Sequence, residues 1–204
     1  MRKNKFQKLV ESNIIISLVL LGAGCSMIIN ALLFFTALIR EDLFLNYVKT
    51  TSVVAGSSYS LKSIIIVCII GPAIEEILFR GGVMNLLKRF MPYKWANLLQ
   101  AFIFGIQHFN IIQDLYAFIL GLIIGYIYNK FETLYAAVFV HMSANVFGYL
   151  LLPVILKNIL YRTDNIVWFI LGYSIVLCIG MALTWISYKK IKDSNSEQIK
   201  ENCN

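Results

Sequence analysis

Long apolar segments separated by short polar ones dominate this chain. A membrane-crossing helix needs about 20 consecutive apolar residues, and backbone groups in lipid must be hydrogen-bonded within their own segment or sheet. Because no alternating strand pattern is present, the segments are helices. The pattern therefore predicts an all-α fold, a polytopic transmembrane helical bundle of about six spans. The predicted spans are roughly 13–39, 61–87, 95–111, 114–130, 133–153 and 165–188.

The polar segments predict how the chain is organised. The stretch 40–60 is polar and indicates an external loop or an interfacial helix, and the polar tail 193–204 is expected to be disordered. The first apolar segment is too long for a signal-peptide core, so we interpret it as a retained span. No Ser/Gly-rich linker divides the chain, and we expect one transmembrane domain over 1–204.

Composition and charge support a membrane location. Hydrophobic residues make up 59% of the chain and charged residues 14%, whereas soluble domains carry about 25% charged residues. The net charge of +7 gathers at the two ends, and basic residues beside spans mark the cytoplasmic side and contact anionic lipid. We expect a multi-pass protein of the cell membrane with both termini cytoplasmic, in contact with membrane lipid and with no nucleic-acid partner.

Ionisable residues interrupt three of the predicted spans. Glu75, Glu76 and Arg80 lie in the second, His108 in the third and His141 in the fifth, and the chain has no other histidine. A charged side chain at the bilayer centre costs roughly 2.5–3.5 kcal/mol on insertion scales. Such residues face a bundle interior or a wet cavity, so they predict a functional site.

Helix geometry limits how the two glutamates act. Glu75 and Glu76 are about 100° apart on a helix and cannot face the same way. Glu76 and Arg80 are four residues apart with the acid first, which is the favourable order for an ion pair. Two arrangements follow: Arg80 neutralises Glu76 and leaves Glu75 to point into a cavity, or Arg80 bridges both carboxylates.

Two chemistries fit these side chains. A glutamate with a histidine can deprotonate water and later protonate a leaving amine, and a second histidine with an asparagine can donate hydrogen bonds to an oxyanion. Asn145 lies four residues after His141 and shares its helix face. Alternatively, Glu75, His108 and His141 form a ligand set for one divalent metal such as zinc, with an open coordination position.

Each feature also has a purely structural interpretation. A lone histidine in an apolar helix is most often an interhelical hydrogen-bonding residue, and Phe104 is expected to be a core residue. Gly121 and Gly125 are four apart in the fourth predicted span, a spacing that lets helices approach closely. We interpret that glycine pair as packing only.

The order of the motifs resembles that of the CPBP family of intramembrane proteases. This family includes the type II CAAX prenyl endopeptidases and bacteriocin-processing or self-immunity proteins, and its pattern is E-E-x-x-x-R, then F-x-x-x-H, then H-x-x-x-N. The chain supplies all three motifs complete, at 75–80, 104–108 and 141–145. The resemblance covers about 65–150.

The resemblance implies an all-helical membrane endopeptidase that acts on a peptide or a small membrane-associated protein. Family members have been described both as metalloproteases and as glutamic proteases, so a metal cofactor stays open. By analogy the roles fall on six residues, with water activation on Glu75 and His108, oxyanion stabilisation on His141 and Asn145, and support on Glu76 and Arg80.

Three functions are compatible with the sequence. The first is an intramembrane endopeptidase that takes part in bacteriocin or signal-peptide processing or in self-immunity. The second is a non-catalytic immunity or scaffold membrane protein that binds a peptide or partner, whose function should survive Glu75→Gln. The third is a transporter-like or ion-binding protein, since intramembrane acids and histidines also form proton paths.

Overall fold

The computed structural model describes residues 14–55, 60–155 and 165–201, with side chains described in 14–51, 60–155 and 165–194. All regular structure in these ranges is helical, which confirms the predicted fold class. We number seven helices, α1 to α7, within the described ranges. Their bounds are Ile14–Ile39, Glu41–Ala55, 61–87, Tyr93–Ile106, Ile111–Phe131, Leu134–Ile155 and Ile166–Glu201.

Four helices in the described ranges are long and apolar enough to cross a membrane. They are α1, α5, α6 and the Ile166–Ser194 part of α7. Helix α3 is long enough, but acidic and basic side chains interrupt it. Helix α4 has 14 residues and is therefore about 21 Å long, shorter than the roughly 30 Å hydrocarbon core. The predicted count of six spans is thus approximate. The second predicted span carries charged side chains, and the helix in the third predicted span is too short to cross the hydrocarbon core.

The third predicted span, 95–111, contains a chain reversal. Asn110 ends this turn and caps α5, because its Oδ1 accepts hydrogen bonds from the backbone N–H groups of Ile112 and Gln113 at 3.2 and 3.3 Å. Phe109 has a φ of 54°, a left-handed conformation that bulky residues rarely adopt. His108, predicted to lie on a span, lies instead in this turn after α4.

Two polar segments were predicted to be a loop or interfacial helix and a disordered tail. Helix α2, Glu41–Ala55, occupies most of the stretch 40–60. Helix α7 continues to Glu201, through most of the polar tail 193–204. Residues 1–13, 56–59, 156–164 and 202–204 lie outside the described ranges.

Helix α3 changes pitch along its length. Two π-helical turns, Ile66–Ile70 and Ile77–Met84, flank the α-helical segment Gly71–Glu76. Pro72 lies two residues after the end of the first π turn and has no N–H, so it cannot donate to the carbonyl of Val67 five residues earlier. Such π turns are frequent at functional sites, and the two glutamates lie between these two.

Helix α1 contacts both α6 and α7 through small residues. A Cβ at Gly24 would lie 2.9 Å from the Gly180 carbonyl oxygen, so α1 and α7 are in backbone contact there. Ser26 Oγ donates a hydrogen bond to the Ala144 carbonyl at 2.8 Å on the other side. Hydroxyls and glycines at helix interfaces are typical of membrane bundles, where close approach replaces the hydrophobic effect.

Apolar side chains lie both inside the bundle and on its outer surface. The core between α1, α5 and α6 contains Leu18, Leu21, Ile124, Ile127 and Val140. The outer faces of α3, α4 and α7 are also apolar, because hydrocarbon is their solvent. Exposed residues on these faces include Ile77, Leu78, Phe102, Trp168, Ile175 and Trp185. The protein is embedded in the membrane.

Candidate active site

Glu76 is fully buried and binds two partners through one oxygen. Arg80 Nη1 donates a hydrogen bond to Glu76 Oε1 at 2.8 Å, and His141 Nδ1 lies 2.7 Å from the same oxygen. Arg80 is also fully buried, and its Nη2 donates to the Gly121 carbonyl at 3.1 Å. The guanidinium carbon lies 4.8 Å from the centre of the Phe104 ring. These contacts link α3 to α4, α5 and α6.

The buried ion pair supports the architecture of the site. Removing one partner of such a pair leaves an uncompensated buried charge, at a cost of about 3–5 kcal/mol. The structure shows the first of the two arrangements that the sequence left open. Arg80 pairs with Glu76, and within the described ranges no ion pair joins Arg80 to Glu75.

Of the two adjacent glutamates, Glu75 has the accessible carboxylate. Its side chain is 34% exposed, whereas that of Glu76 is 0% exposed. Glu75 Oε2 lies 3.6 Å from His141 Nε2, a distance within ion-pair range but too long for a direct hydrogen bond. The Glu75 carboxylate is therefore accessible from outside the bundle and lies in ion-pair range of His141.

Both histidines carry a proton on Nδ1. A carboxylate beside an arginine is ionised and only accepts hydrogen bonds, so His141 Nδ1 donates to Glu76. A backbone carbonyl also only accepts, so His108 Nδ1 donates to Gly105 O, 3.0 Å away. Because the hydrogen bond at Nδ1 sets the tautomer, the other ring nitrogen, Nε2, is the one that can accept a proton or a hydrogen bond.

Phe104 brings the two histidines to one surface. Its ring is 1% exposed, and the His108 and His141 rings stand edge-on to it, with centroids 5.4 and 5.8 Å away. Phe104 is therefore a core residue that also supports the site. Within the described ranges Glu75 forms an ion-pair contact with His141 and none with His108. The role in water activation that the resemblance gives His108 stays a prediction.

Asn145 lies one helical turn after His141 and bonds to the irregular part of α3. Its Nδ2 donates a hydrogen bond to the Val67 carbonyl at 2.8 Å. This is the carbonyl to which Pro72 cannot donate, so Asn145 takes the place of the missing N–H. An amide nitrogen carries two protons, and Val67 uses one of them.

The predicted metal ligands are not grouped as a metal site. Across the described residues, no three His, Cys, Asp or Glu side chains are close enough to hold a metal ion. Glu75 and His141 are neighbours, but His108 does not join them as a third ligand. Glu75, His108 and His141 as ligands of a divalent metal therefore stay a prediction.

Two buried amide side chains that belong to none of the three motifs extend the cluster. Gln100 Nε2 donates to the Gly121 carbonyl at 3.1 Å and to Asn97 Oδ1 at 2.8 Å. Asn97 Nδ2 donates to the Leu122 carbonyl at 3.1 Å. The signal was present in the sequence, because Asn97, Gln100 and Phe104 have the spacing of one helix face in an otherwise apolar segment.

Comparison with known proteins matches the segment of the chain that contains the three motifs. Residues 57–147 match the family model described as type II CAAX prenyl endopeptidase Rce1-like. A protein of Bacillus subtilis (strain 168) named "Putative membrane peptidase YdiL" is 27% identical over 109 residues, which cover 53% of this chain and 45% of that protein. The chain thus spans less than half the length of this curated relative. No solved structure matches the chain.

The matched segment contains all three motifs. It includes Glu75, Glu76 and Arg80 on α3, the turn at His108, and His141 with Asn145 on α6. The structure brings side chains from these separate elements onto one buried ion pair and one phenylalanine ring. In its motifs and in the family match, the segment 57–147 is similar to type II CAAX prenyl endopeptidases of the Rce1-like kind.

Proposed function

We propose that this protein is an intramembrane endopeptidase that hydrolyses a peptide or a small membrane-associated protein with a water molecule activated at Glu75. The observation that carries this proposal is the accessible Glu75 carboxylate, which faces Nε2 of a buried histidine. A second, buried carboxylate holds that histidine through Nδ1. A base with an oriented proton partner is what amide hydrolysis needs.

The reaction balances with these groups. Glu75 takes a proton from water as the water oxygen attacks the carbonyl carbon of the scissile amide. The tetrahedral oxyanion accepts hydrogen bonds from the second N–H of Asn145 and from His141 Nε2 when that nitrogen is protonated. The C–N bond then breaks, and the leaving amine takes the proton from Glu75, directly or through His141. His108 Nε2 accepts a hydrogen bond from the attacking water.

The biological role is part of the same proposal. The CPBP family includes bacteriocin-processing and self-immunity proteins, and a relative from a bacterium carries a membrane-peptidase name. We propose that the substrate is a bacteriocin or signal peptide, or another small membrane-associated peptide.

The test compares the peptides of cells that carry the wild type, Glu75→Gln or Glu41→Gln. Glu41 lies at the exposed start of α2, so it takes the same substitution outside the site. We expect one or more peptides to accumulate uncut in Glu75→Gln only, because losing the base lowers cleavage by about 10²–10⁴-fold. Mass spectrometry of cells with matched membrane expression measures this.

Identical peptide profiles in all three strains would contradict the proposal. If the cellular phenotype also survives Glu75→Gln, the non-catalytic immunity or scaffold function is favoured. That substitution keeps the shape of the side chain and removes only its ability to act as a base.

A further inference from the structure

We infer that Gln100, held against the glycine pair of α5, is a positioning residue for Arg80 and, through Arg80, for His141. Gln100 lies on α4, outside the three family motifs. The inference rests on the proposed function only for what the positioned histidine does.

Gln100 and Arg80 bind the same acceptor. Gln100 Nε2 and Arg80 Nη2 each lie 3.1 Å from the Gly121 carbonyl oxygen, and both side chains are fully buried. Arg80 Nη1 continues to Glu76 Oε1, and that oxygen accepts from His141 Nδ1. One series of polar contacts therefore runs from α4 through α5 and α3 to the imidazole on α6.

The glycine pair explains how side chains of α4 reach the backbone of α5. A Cβ at Gly125 would collide with Asn97 Oδ1 and lie 2.8 Å from Gln100 Nε2. A Cβ at Gly121 would lie 3.2 Å from Ala101 Cβ. The sequence pattern predicted packing alone, but the two glycines also expose the carbonyl that Arg80 and Gln100 share.

Few other contacts fix the guanidinium. Arg80 Nε has no hydrogen-bond partner among the described residues, so Nη1, Nη2 and the Phe104 ring define the position of the group. Gln100 occupies the space beside Nη2 and donates to the same carbonyl of Gly121. Without this amide the guanidinium gains freedom, and Glu76 Oε1 moves with it, away from His141 Nδ1.

The chain's two histidines give a direct readout. The full chain is labelled with ¹⁵N-histidine in lipid nanodiscs, and His108→Gln assigns the His141 signals. In Gln100→Met we expect the His141 Nδ1 proton to shift upfield and to exchange faster with solvent, with the His108 signals unchanged. Gln100→Glu should shift it further, because the new carboxylate competes with Glu76 for Arg80.

A matched control separates chemistry from packing. Gln113 lies in the first turn of α5, two turns before Gly121. Gln113→Met makes the same chemical change there, and we expect wild-type His141 signals. Because Met and Glu both keep approximately the volume of Gln, a role limited to filling space would leave His141 unshifted in both Gln100 variants.

Wild-type His141 signals in folded Gln100→Met and Gln100→Glu would overturn the inference. If neither variant folds, Asn97→Ser removes one acceptor of the Gln100 amide, and an unshifted His141 there would overturn it equally. The measurement needs no substrate. Failure of the proposed peptidase activity would therefore leave this result standing, and the reverse also holds.

Discussion

The two adjacent glutamates differ in burial and in the partners that they bind. Glu76 is enclosed with Arg80 and fixes the tautomer of His141, whereas Glu75 is 34% exposed and faces the other nitrogen of that ring. The separation of the two side chains around the helix, about 100°, is enough to place one inside the bundle and one at an accessible surface. The sequence predicted this division as one of two arrangements.

The arrangement of the candidate metal ligands predicts how activity responds to removal of metal ions. We expect a chelator to leave the cleavage rate of an identified substrate unchanged, because Glu75 and His141 face each other and His108 does not complete a ligand set in the described ranges. The assay is cleavage by the purified protein with and without 1,10-phenanthroline. Loss of activity that added zinc restores would favour Glu75, His108 and His141 as metal ligands.

Irregular helix geometry decides how α3 presents its charges. The π turn Ile66–Ile70 and the missing N–H of Pro72 leave the Val67 carbonyl for a partner outside the helix. Asn145 on α6 supplies that partner. The same side chain that the resemblance assigns to the oxyanion thus also fixes the segment that carries both glutamates.

The bond from Asn145 predicts a loss of stability. Asn145→Leu removes the donor to Val67 and leaves a partly buried carbonyl unsatisfied, which costs about 1–3 kcal/mol. The measurement is thermal unfolding in one detergent. Asn129→Leu is the control, because Asn129 accepts only an exposed hydrogen bond from Lys88 and should change stability by less than about 0.5 kcal/mol. Equal unfolding temperatures for the two variants would show that Asn145 does not stabilise α3.

At the scale of the whole molecule, α1 and α7 lie outside the matched segment, and α1 packs directly on it. Ser143 Oγ donates a hydrogen bond to the Val19 carbonyl at 2.6 Å, which joins α6 to α1. The crossing at Gly24 and Gly180 then joins α1 to α7. Helix α1 thus covers one face of α6, and α7 packs on α1, although the motifs include neither helix.

The α1–α7 crossing predicts an asymmetric response to alanine. In Gly24→Ala, the new Cβ would lie 2.6 Å from Thr184 Oγ1 and 2.9 Å from the Gly180 carbonyl oxygen, so overpacking should cost about 1–3 kcal/mol. In Gly82→Ala the nearest atom lies 3.9 Å away, and stability should stay equal or rise because alanine favours helix. Thermal unfolding of both variants measures this. A Gly24→Ala protein as stable as Gly82→Ala would contradict the close crossing.

The sequence alone determined the helical fold, the membrane location and which ionisable residues interrupt the apolar segments, and it gave the Glu76–Arg80 pair as one of two arrangements. These depend on hydropathy, helix period and four-residue spacing, which are local properties. The span count was less certain, because the turn at 107–110 contains Phe109 and is flanked by Ile106 and Ile111, so apolar residues conceal it.

Only the tertiary structure decided which groups meet. The bond between His141 and Glu76 joins residues 65 positions apart, and the Asn145 bond joins residues 78 apart. Such contacts depend on the rotation and relative depth of packed helices, which hydropathy does not define. For the same reason the pairing of Glu75 with His141, the placement of His108 on a turn, and the position of Gln100 beside Arg80 came from the packing of α3, α4, α5 and α6.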